Sequence, residues 1–513
     1  MEDNKSASTE RAITRVAGPR RRGSDFLQLD ITAAPPGRRA EWLADQLRRA
    51  ITDGRVPVGG RLPPTRLLAA ELGVSRGVVT EAYQRLIESG QVVGRGRGGT
   101  VVVAAGVPAP PRPATAGVPA PTPLFTPEPG VEIFDVVRAA TARIDLSPGV
   151  PDLAAFPRAA WLRAERTVLN TLTPAELGYG DPRGTPALRL AAANWLARYR
   201  GIRVDPDRVL VVSGVAQALS LLAQVLRANG IDRVAVEDPG SLGARQQLRG
   251  WGLDTPPVPI DAEGLRVDQL AASDAAAVML TPAHQFPTGV VLGGERRRQL
   301  LRWADRGGLI IEDDYDAEHR YDRSPVPALR SIMPERVCYT GSVSKLLAPA
   351  LRVGWLIAPS RYADALVANK RIADLGNAAL PQLVLAELMN TGALERHLRL
   401  LRRRHIRRRD AMIAAIAHQL PGAEVHGAAA GLHLMVTFRA DFSDLDLATA
   451  ALARGVKVQP LSWHSQRPHR PGLVLGYAAN STSAIDEAIT VLADALREVT
   501  GGSRCSDRAR WRR

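Results

Sequence analysis

Cysteine is scarce in this chain, with only Cys338 and Cys505 among 513 residues. Two cysteines provide no disulfide framework, so the sequence fits a reducing compartment better than a secreted, disulfide-stapled domain. Apolar runs of about 18 residues, the length of a membrane span, are also lacking. Residues 1–23 are polar and contain arginine, without the apolar core of a secretory signal. We therefore expect a cytoplasmic protein with no membrane span.

Acidic residues are too few to balance the basic ones. Asp and Glu number 52 against 67 Lys and Arg, which gives a formal net charge of +15. Such a surplus indicates a polyanionic partner, although net charge does not determine a fold. His284, His319 and His433 are scattered along the sequence without the spacing of metal ligands, so no metal site is predicted. The length and the 45% hydrophobic content suit two domains, each with its own core.

Three helical patterns and a hairpin fill residues 36–104. Apolar residues recur at helical spacing over 40–51, and further helices are predicted over 62–72 and after Ser75, a residue type that caps helices well. Gly73 separates these last two helices by a short turn, an arrangement that presents the second of them to the major groove of DNA. Residues 91–103 predict a β-hairpin with a glycine and arginine tip, a wing.

A family resemblance covers nearly all of this module. Residues 60–76, GRLPPTRLLAAELGVSR, followed by Tyr83, Leu86 and Gly90, resemble the GntR-type winged helix-turn-helix. The resemblance implies contacts with double-stranded operator DNA from helix starts and from the wing, where phosphates and base edges are met. The residues implied are Arg66, Ser75, Arg76, Arg95, Arg97 and Gly98. A three-helix packing unit with solvated arginines is the alternative.

Proline dominates the segment after the hairpin. Nine prolines lie between residues 104 and 129, a composition that buries no core and favours an extended, semi-rigid spacer. A domain boundary therefore belongs here. The predicted organisation is a flexible N-terminus, a winged-helix DNA-binding domain, a Pro/Ala-rich linker, a large domain and a basic tail, at residues 1–35, 36–104, 105–130, 131–500 and 501–513.

The large domain alternates short apolar strands with helical stretches. The strands are predicted at 209–212, 234–236, 277–280, 309–311 and 337–339. This alternation predicts an α/β fold with a mainly parallel sheet covered by helices on both faces. Functional residues then belong at the carboxyl ends of the strands. Gly214 follows the first strand and opens a helix whose free N–H groups suit a phosphate.

Lys345 is the most informative single residue. Its apolar neighbours would bury it, and burial lowers the pKa of a lysine and leaves its amine able to attack a carbonyl. Arg352 lies seven residues later and can hold a phosphate through a bidentate fork. Together with Ser342 and Ser344, these side chains suit pyridoxal 5′-phosphate (PLP).

The order of motifs resembles the MocR/GabR regulators, a GntR-type head fused to a fold-type I aminotransferase-like domain. The motifs are YGDPRG at 179–184, VEDPG at 236–240, TPAHQFPTG at 281–289, IEDDYD at 311–316 and SVSK at 342–345. The resemblance implies a Schiff base at Lys345, Asp313 on the ring nitrogen and Tyr315 on the phenolic oxygen. It also implies a head-to-tail homodimer in which Tyr179 reaches the phosphate of the neighbouring subunit. The phosphate cradle would comprise Gly214, Val215, Ala216, Ser342 and Arg352.

Two positions depart from that family pattern. Ser241 stands where a tyrosine would stack on the ring, and Val474 stands where aminotransferases carry the arginine that grips a substrate carboxylate. These departures favour a transcription regulator that senses PLP, an amine or an amino acid. Two alternatives stay open: a working aminotransferase with an appended DNA-binding domain, and a DNA-binding protein whose large domain is only a dimerisation scaffold.

Overall fold

The computed structural model describes residues 29–35, 37–96, 99–104, 124–321 and 326–510. The chain divides into two units, Met1–Ala116 and Gly117–Arg513. The described residues of the first unit form three α-helices and an antiparallel hairpin in which Val93 pairs with Val101. Its elements are α1 (Arg39–Thr52), α2 (Thr65–Leu72), α3 (Arg76–Glu88), β1 (Val92–Gly94) and β2 (Thr100–Val102).

One apolar core holds the first unit together. Leu43 and Leu47 of α1 and Leu86 of α3 are fully buried in it, as the helical spacing predicted. The second helix begins at Thr65 and not at 62, because Leu62 is held to the wing by a hydrogen bond from its N–H to the Thr100 carbonyl, 2.9 Å long. The prediction of that helix start was wrong.

The second unit is built around an eight-stranded sheet. The strand order is β4-β11-β10-β9-β8-β5-β6-β7. Strands β10, β9, β8, β5 and β6 run parallel, while β4, β11 and β7 are paired antiparallel to their neighbours. The predicted mainly parallel sheet is therefore confirmed. The bounds are β4 (Leu210–Val212), β5 (Val234–Asp238), β6 (Pro257–Asp261), β7 (Gly264–Leu265), β8 (Ala277–Leu280), β9 (Leu309–Asp314), β10 (Val337–Ser342) and β11 (Gly354–Ile357).

Helices cover both faces of this sheet because its strands are apolar on both sides. Val211 packs in one core with α5, α6 and α12, and the neighbouring Val212 packs in another with α7, α8 and α11. The helices are α5 (Arg158–Thr171), α6 (Pro186–Arg200), α7 (Val215–Ala228), α8 (Leu242–Gly250), α9 (Val267–Ala271), α10 (Gly294–Asp305), α11 (Ser360–Asp374) and α12 (Ala379–Asn390).

A smaller antiparallel sheet, in the order β12-β13-β16-β15, forms a further layer. Its core includes Phe125, which stacks on Trp463 at 5.2 Å between ring centroids, so the last residues of the proposed linker are packed. The remaining elements are α4 (Ile133–Ala139), β3 (Ile144–Asp145), α13 (Ala393–Gln419), β12 (Ala423–His426), β13 (His433–Phe438), α14 (Asp444–Ala453), β14 (Val456–Lys457), β15 (Gln459–Pro460), β16 (Gly472–Gly476) and α15 (Thr482–Arg510).

The last helix, α15, runs to Arg510 and so takes in most of the basic tail proposed for residues 501–513. Within the part of the chain that the structure describes, no helix combines the length and apolar character needed to cross a membrane.

Candidate functional site

The site lies where the parallel strands β9 and β10 end. Asp313 pairs in register with Thr340, whose Oγ1 donates to Asp313 Oδ1 at 3.3 Å. Lys345 follows β10, and its Nζ donates to the Gly149 carbonyl at 2.6 Å. Gly149 has φ of 76°, a backbone conformation that favours glycine, and a Cβ at this position would lie 2.9 Å from that Nζ.

Burial shifts the pKa values of both Lys345 and Asp313. Burial lowers the pKa of Lys345, although the negative charges of Asp313 and Asp316 act in the opposite direction. Burial also raises the pKa of Asp313 to about 7, and the neighbouring Asp314 adds to that rise. The same site thus contains an amine whose charged form is disfavoured by burial and a carboxyl group whose pKa lies near neutral pH.

The residues of the predicted phosphate cradle lie where β4 meets α7. Gly214, with φ of 81°, precedes the first turn of α7, in which the N–H groups of Val215 and Ala216 have no helical partner. Arg352 lies just before β11, and it reaches this turn because β11 pairs with β4. Its guanidinium donates to the Ser213 carbonyl. The same guanidinium would lie 3.2 Å from a Cβ at position 214.

Ser342 lies at the end of β10, and its hydroxyl accepts a hydrogen bond from the Ser344 N–H at 3.4 Å. Sequence reasoning missed two further residues at the cradle. Asn377 Nδ2 donates to Ser213 Oγ at 2.5 Å, while its Oδ1 is buried without a partner. Gln217 Oε1 accepts from the Ser213 N–H at 2.7 Å. Asn377 could not be inferred, because 164 positions separate it from its partner.

Tyr315 is fixed by a histidine that the sequence analysis left without a role. His284 Nδ1 lies 3.0 Å from Tyr315 Oη and 2.8 Å from Asp316 Oδ2, and His284 Nε2 is buried without a partner. Burial raises the pKa of Tyr315 well above its ordinary value. His284 and His433 are scattered in sequence but not in space, since their rings are 5.5 Å apart.

The residues of the described ranges include no group of side chains able to hold a metal ion.

Val474 and Ser241, the two departures from the family pattern, have well-defined surroundings in the structure. Val474 is fully buried and packs with Met435, Leu461 and Phe286, and the Phe286 ring stands edge-on to Tyr315 at 6.1 Å. The position expected to carry a cation is therefore part of an apolar cluster. Ser241 caps α8, because its Oγ accepts from the Ala244 N–H at 3.2 Å, and it offers no ring for stacking.

Tyr179 lies before α6 with 94% of its surface exposed, so it does not complete the buried cradle of its own chain. In the first unit, Arg66, Arg76 and Arg95 are all exposed, and none of them forms an ion pair with a described residue. Ser75 is exposed and caps α3 through the Val78 N–H at 3.5 Å. The remaining predicted DNA-contacting residues, Arg97 and Gly98, lie outside the described residues.

These side chains fit PLP. The first turn of α7 with Arg352 suits a phosphate, Asp313 suits a ring nitrogen, and Lys345 suits an aldehyde. The unpartnered Asn377 Oδ1 and His284 Nε2 are buried polar atoms that lack a hydrogen-bonding group, as expected where a ligand normally supplies one.

Comparisons with known families match both units. Residues 39–102 match the bacterial regulatory proteins of the gntR family, and residues 141–492 match aminotransferase class I and II. Among solved structures, a multiple substrate aminotransferase from Thermococcus profundus is 28% identical with a TM-score of 0.65, covering 72% of this chain and 94% of its own. The α-aminoadipate aminotransferase LysN from Thermus thermophilus, solved with N-(5′-phosphopyridoxyl)-L-leucine, is 27% identical with the same TM-score, covering 71% and 94%.

Two relatives extend over almost the whole chain. The probable rhizopine catabolism regulatory protein MocR of Rhizobium meliloti is 32% identical and covers 92% of this chain and 96% of its own length. The pyridoxine biosynthesis transcriptional regulator PdxR of Corynebacterium glutamicum is 31% identical and covers 88% and 95%. With a gntR-type head, a class I aminotransferase fold and this similarity throughout, the chain belongs to the MocR-type family of transcriptional regulators.

Proposed function

We propose that this regulator is a cytoplasmic homodimer that binds double-stranded operator DNA through its head and holds PLP at Lys345. The observation that supports this most directly is the buried amine and carboxyl pair beside a phosphate cradle, on the same chain as a winged helix with exposed arginines. An effector at Lys345, whether PLP, an amine or an amino acid, changes DNA affinity by favouring one conformation of the dimer.

Each residue of the site has a distinct part in this proposal. PLP, when bound, supplies an aldehyde for an amine and a ring that withdraws electrons. Lys345 offers an amine whose pKa is lowered by burial. Asp313 would pair with the ring nitrogen, and Tyr315, fixed by His284, would donate to the phenolic oxygen. Arg352, Ser342, the first turn of α7 and Tyr179 of the second subunit would hold the phosphate.

Val474 favours sensing over catalysis. A substrate carboxylate next to Val474 would leave water and meet Met435 and Leu461 instead of a guanidinium. An unpaired buried charge is costly. An amino acid is then held only through its amine, which weakens both its affinity and its orientation for proton transfer.

The deciding experiment titrates the purified protein with PLP, amines and amino acids while following visible absorbance and binding to labelled DNA from its own upstream region. We expect stoichiometric PLP absorbance and a change in DNA affinity of roughly fivefold or more, the usual size of allosteric coupling. Lys345→Ala should lose the absorbance and keep its far-ultraviolet circular dichroism. The proposal is contradicted if that variant keeps the PLP absorbance, or if none of the ligands changes the affinity of the wild-type protein for DNA.

A further inference from the structure

A buried lysine lies behind the phosphate cradle. Lys370, on α11, has a side chain with no exposed surface, and its Nζ donates to both oxygens of Asp374, at 2.9 and 3.0 Å. It also donates to Gln217 Oε1 at 3.2 Å. A buried ammonium is tolerated only when it is paired in this way. Neither a sequence motif nor the proposed contacts with PLP involve Lys370.

Gln217 connects this lysine to the cradle. Its Oε1 accepts from both Lys370 and the Ser213 N–H, while its Nε2 donates to Asp374 Oδ2 at 2.6 Å. Two donors at the oxygen and an acceptor at the nitrogen fix the orientation of the amide. Asn377 donates to Ser213 Oγ, so the Ser213 hydroxyl keeps its own proton for another acceptor.

The charges of this network matter for a phosphate. Burial raises the pKa of Asp374, but hydrogen bonds donated by Gln217 and Lys370 outweigh burial and hold this pKa below its ordinary value. Asp374 is therefore negative at neutral pH, close to a cradle that would receive a dianion. Without a neighbouring cation, its carboxylate would repel the phosphate.

We propose that Lys370 is a positioning residue for the PLP phosphate. Through Gln217, Lys370 holds Ser213 and the start of α7 in the conformation that leaves the first N–H groups of the helix free. Its ammonium also balances the carboxylate of Asp374. The inference rests on the proposed function, because it takes the phosphate to bind at α7.

The test compares PLP with pyridoxal, which has the same aldehyde and ring but no phosphate. In full-length Lys370→Met, absorbance titration should show PLP affinity reduced about fivefold to tenfold, less than the loss of a direct charged hydrogen bond would give. Affinity for pyridoxal should stay within roughly twofold of wild type, the ordinary scatter of indirect effects. A merely structural role would weaken both ligands equally, and that result, or unchanged PLP affinity, overturns the proposal.

Three further variants sharpen this test. Lys370→Met with Asp374→Asn should recover part of the PLP affinity, because the unbalanced carboxylate is gone. Lys457→Met is the matched control, since Lys457 is also buried and lies 3.3 Å from a carboxylate, that of Asp145, away from the cradle. Lys370→Gln gives the same comparison if the methionine variant does not fold. Wild-type protein that takes up neither ligand would refute the proposed function itself, before any variant is made.

Discussion

At Lys345 and Asp313, burial shifts the pKa values of two ionisable side chains in opposite directions. Burial favours the neutral form of both groups, which lowers the pKa of the lysine and raises that of the aspartic acid to about 7. A cationic ring nitrogen near Asp313 would reverse the effect on the carboxyl group, because an opposite charge favours ionisation. Binding of PLP and the protonation of Asp313 are therefore coupled.

Asp313→Asn should change how the stability of the cofactor-free protein depends on pH. The pKa of Asp313 is about 7 in the fold and about 3.9 in an unfolded chain. Its contribution to stability is thus present below pH of about 4 and is lost as the pH rises through about 7. Relative to wild type, the free energy of unfolding of the variant should rise with pH across this window, by about 4 kcal/mol, because each unit of difference in pKa corresponds to about 1.4 kcal/mol. Urea unfolding at several pH values measures this, and a constant difference contradicts it.

Val474→Arg should make the site respond to amino acids. A guanidinium there gives a carboxylate the bidentate partner that it lacks among Met435 and Leu461. With PLP bound, the absorbance change on adding L-alanine should occur at concentrations roughly tenfold lower than in wild type. The absorbance change on adding ethylamine, which has no carboxylate, should occur at the same concentrations as in wild type. Val474→Leu should behave like wild type with both ligands. Equal shifts for alanine and ethylamine would contradict the prediction.

The sequence could predict the residues of the site that lie in motifs, but not their surroundings. Asp313 lies near the end of β9, Lys345 follows β10 and Arg352 precedes β11, so the spacing of the motifs follows the strand alternation. His284 and Asn377 contact the site through folding that joins distant segments, and single sequence patterns carry no signal for such contacts. The specific contacts of each predicted residue with PLP remain predictions.

At the scale of the element, helix starts were harder to predict than helix existence. The apolar stripes of α1 and α3 predicted both helices, and Ser75 marked the start of α3 correctly. Pro63 and Pro64 suggested an earlier start for α2, but that segment bonds to the wing instead, through the N–H of Leu62. Contacts between elements, which the local sequence does not report, decided the difference.

Ser75→Ala should weaken DNA binding by loosening the start of α3. The Ser75 hydroxyl accepts a hydrogen bond from the Val78 N–H, which is shared with the Ser75 carbonyl, at this exposed helix end, and loss of such a cap costs about 1 kcal/mol. Hydrogen exchange of the first amides of α3 should become faster, and anisotropy with labelled operator DNA should show lower affinity. Ser75→Thr, which keeps the capping hydroxyl, is the control and should bind nearly as well. If the first amides of α3 also exchange faster in the threonine variant, the loss of the capping hydroxyl is not the cause.

At the scale of the whole molecule, the second unit exposes several large apolar residues in the segment from α5 to Tyr179. Leu162 and Leu169 on α5 and Leu177 shortly before Tyr179 are between 52% and 65% exposed. Large apolar side chains grouped at a surface indicate an interface. A homodimer that covers them would also bring Tyr179 into the site of the other subunit, which its exposure in a single chain permits.

Mixed dimers test this exchange of Tyr179 between subunits. Lys345→Ala and Tyr179→Ala homodimers should each bind PLP poorly. In a dimer with one chain of each kind, the chain that retains Lys345 receives Tyr179 from its partner, so one of the two sites is complete. Random mixing of equal amounts of the two variants should therefore restore about a quarter of the wild-type PLP absorbance, at a PLP concentration that fills wild-type sites but not those of either variant alone, because half of the dimers are mixed. Each variant re-equilibrated with itself is the control. If Tyr179 acted within its own chain, no mixed dimer would contain a complete site and no absorbance would return.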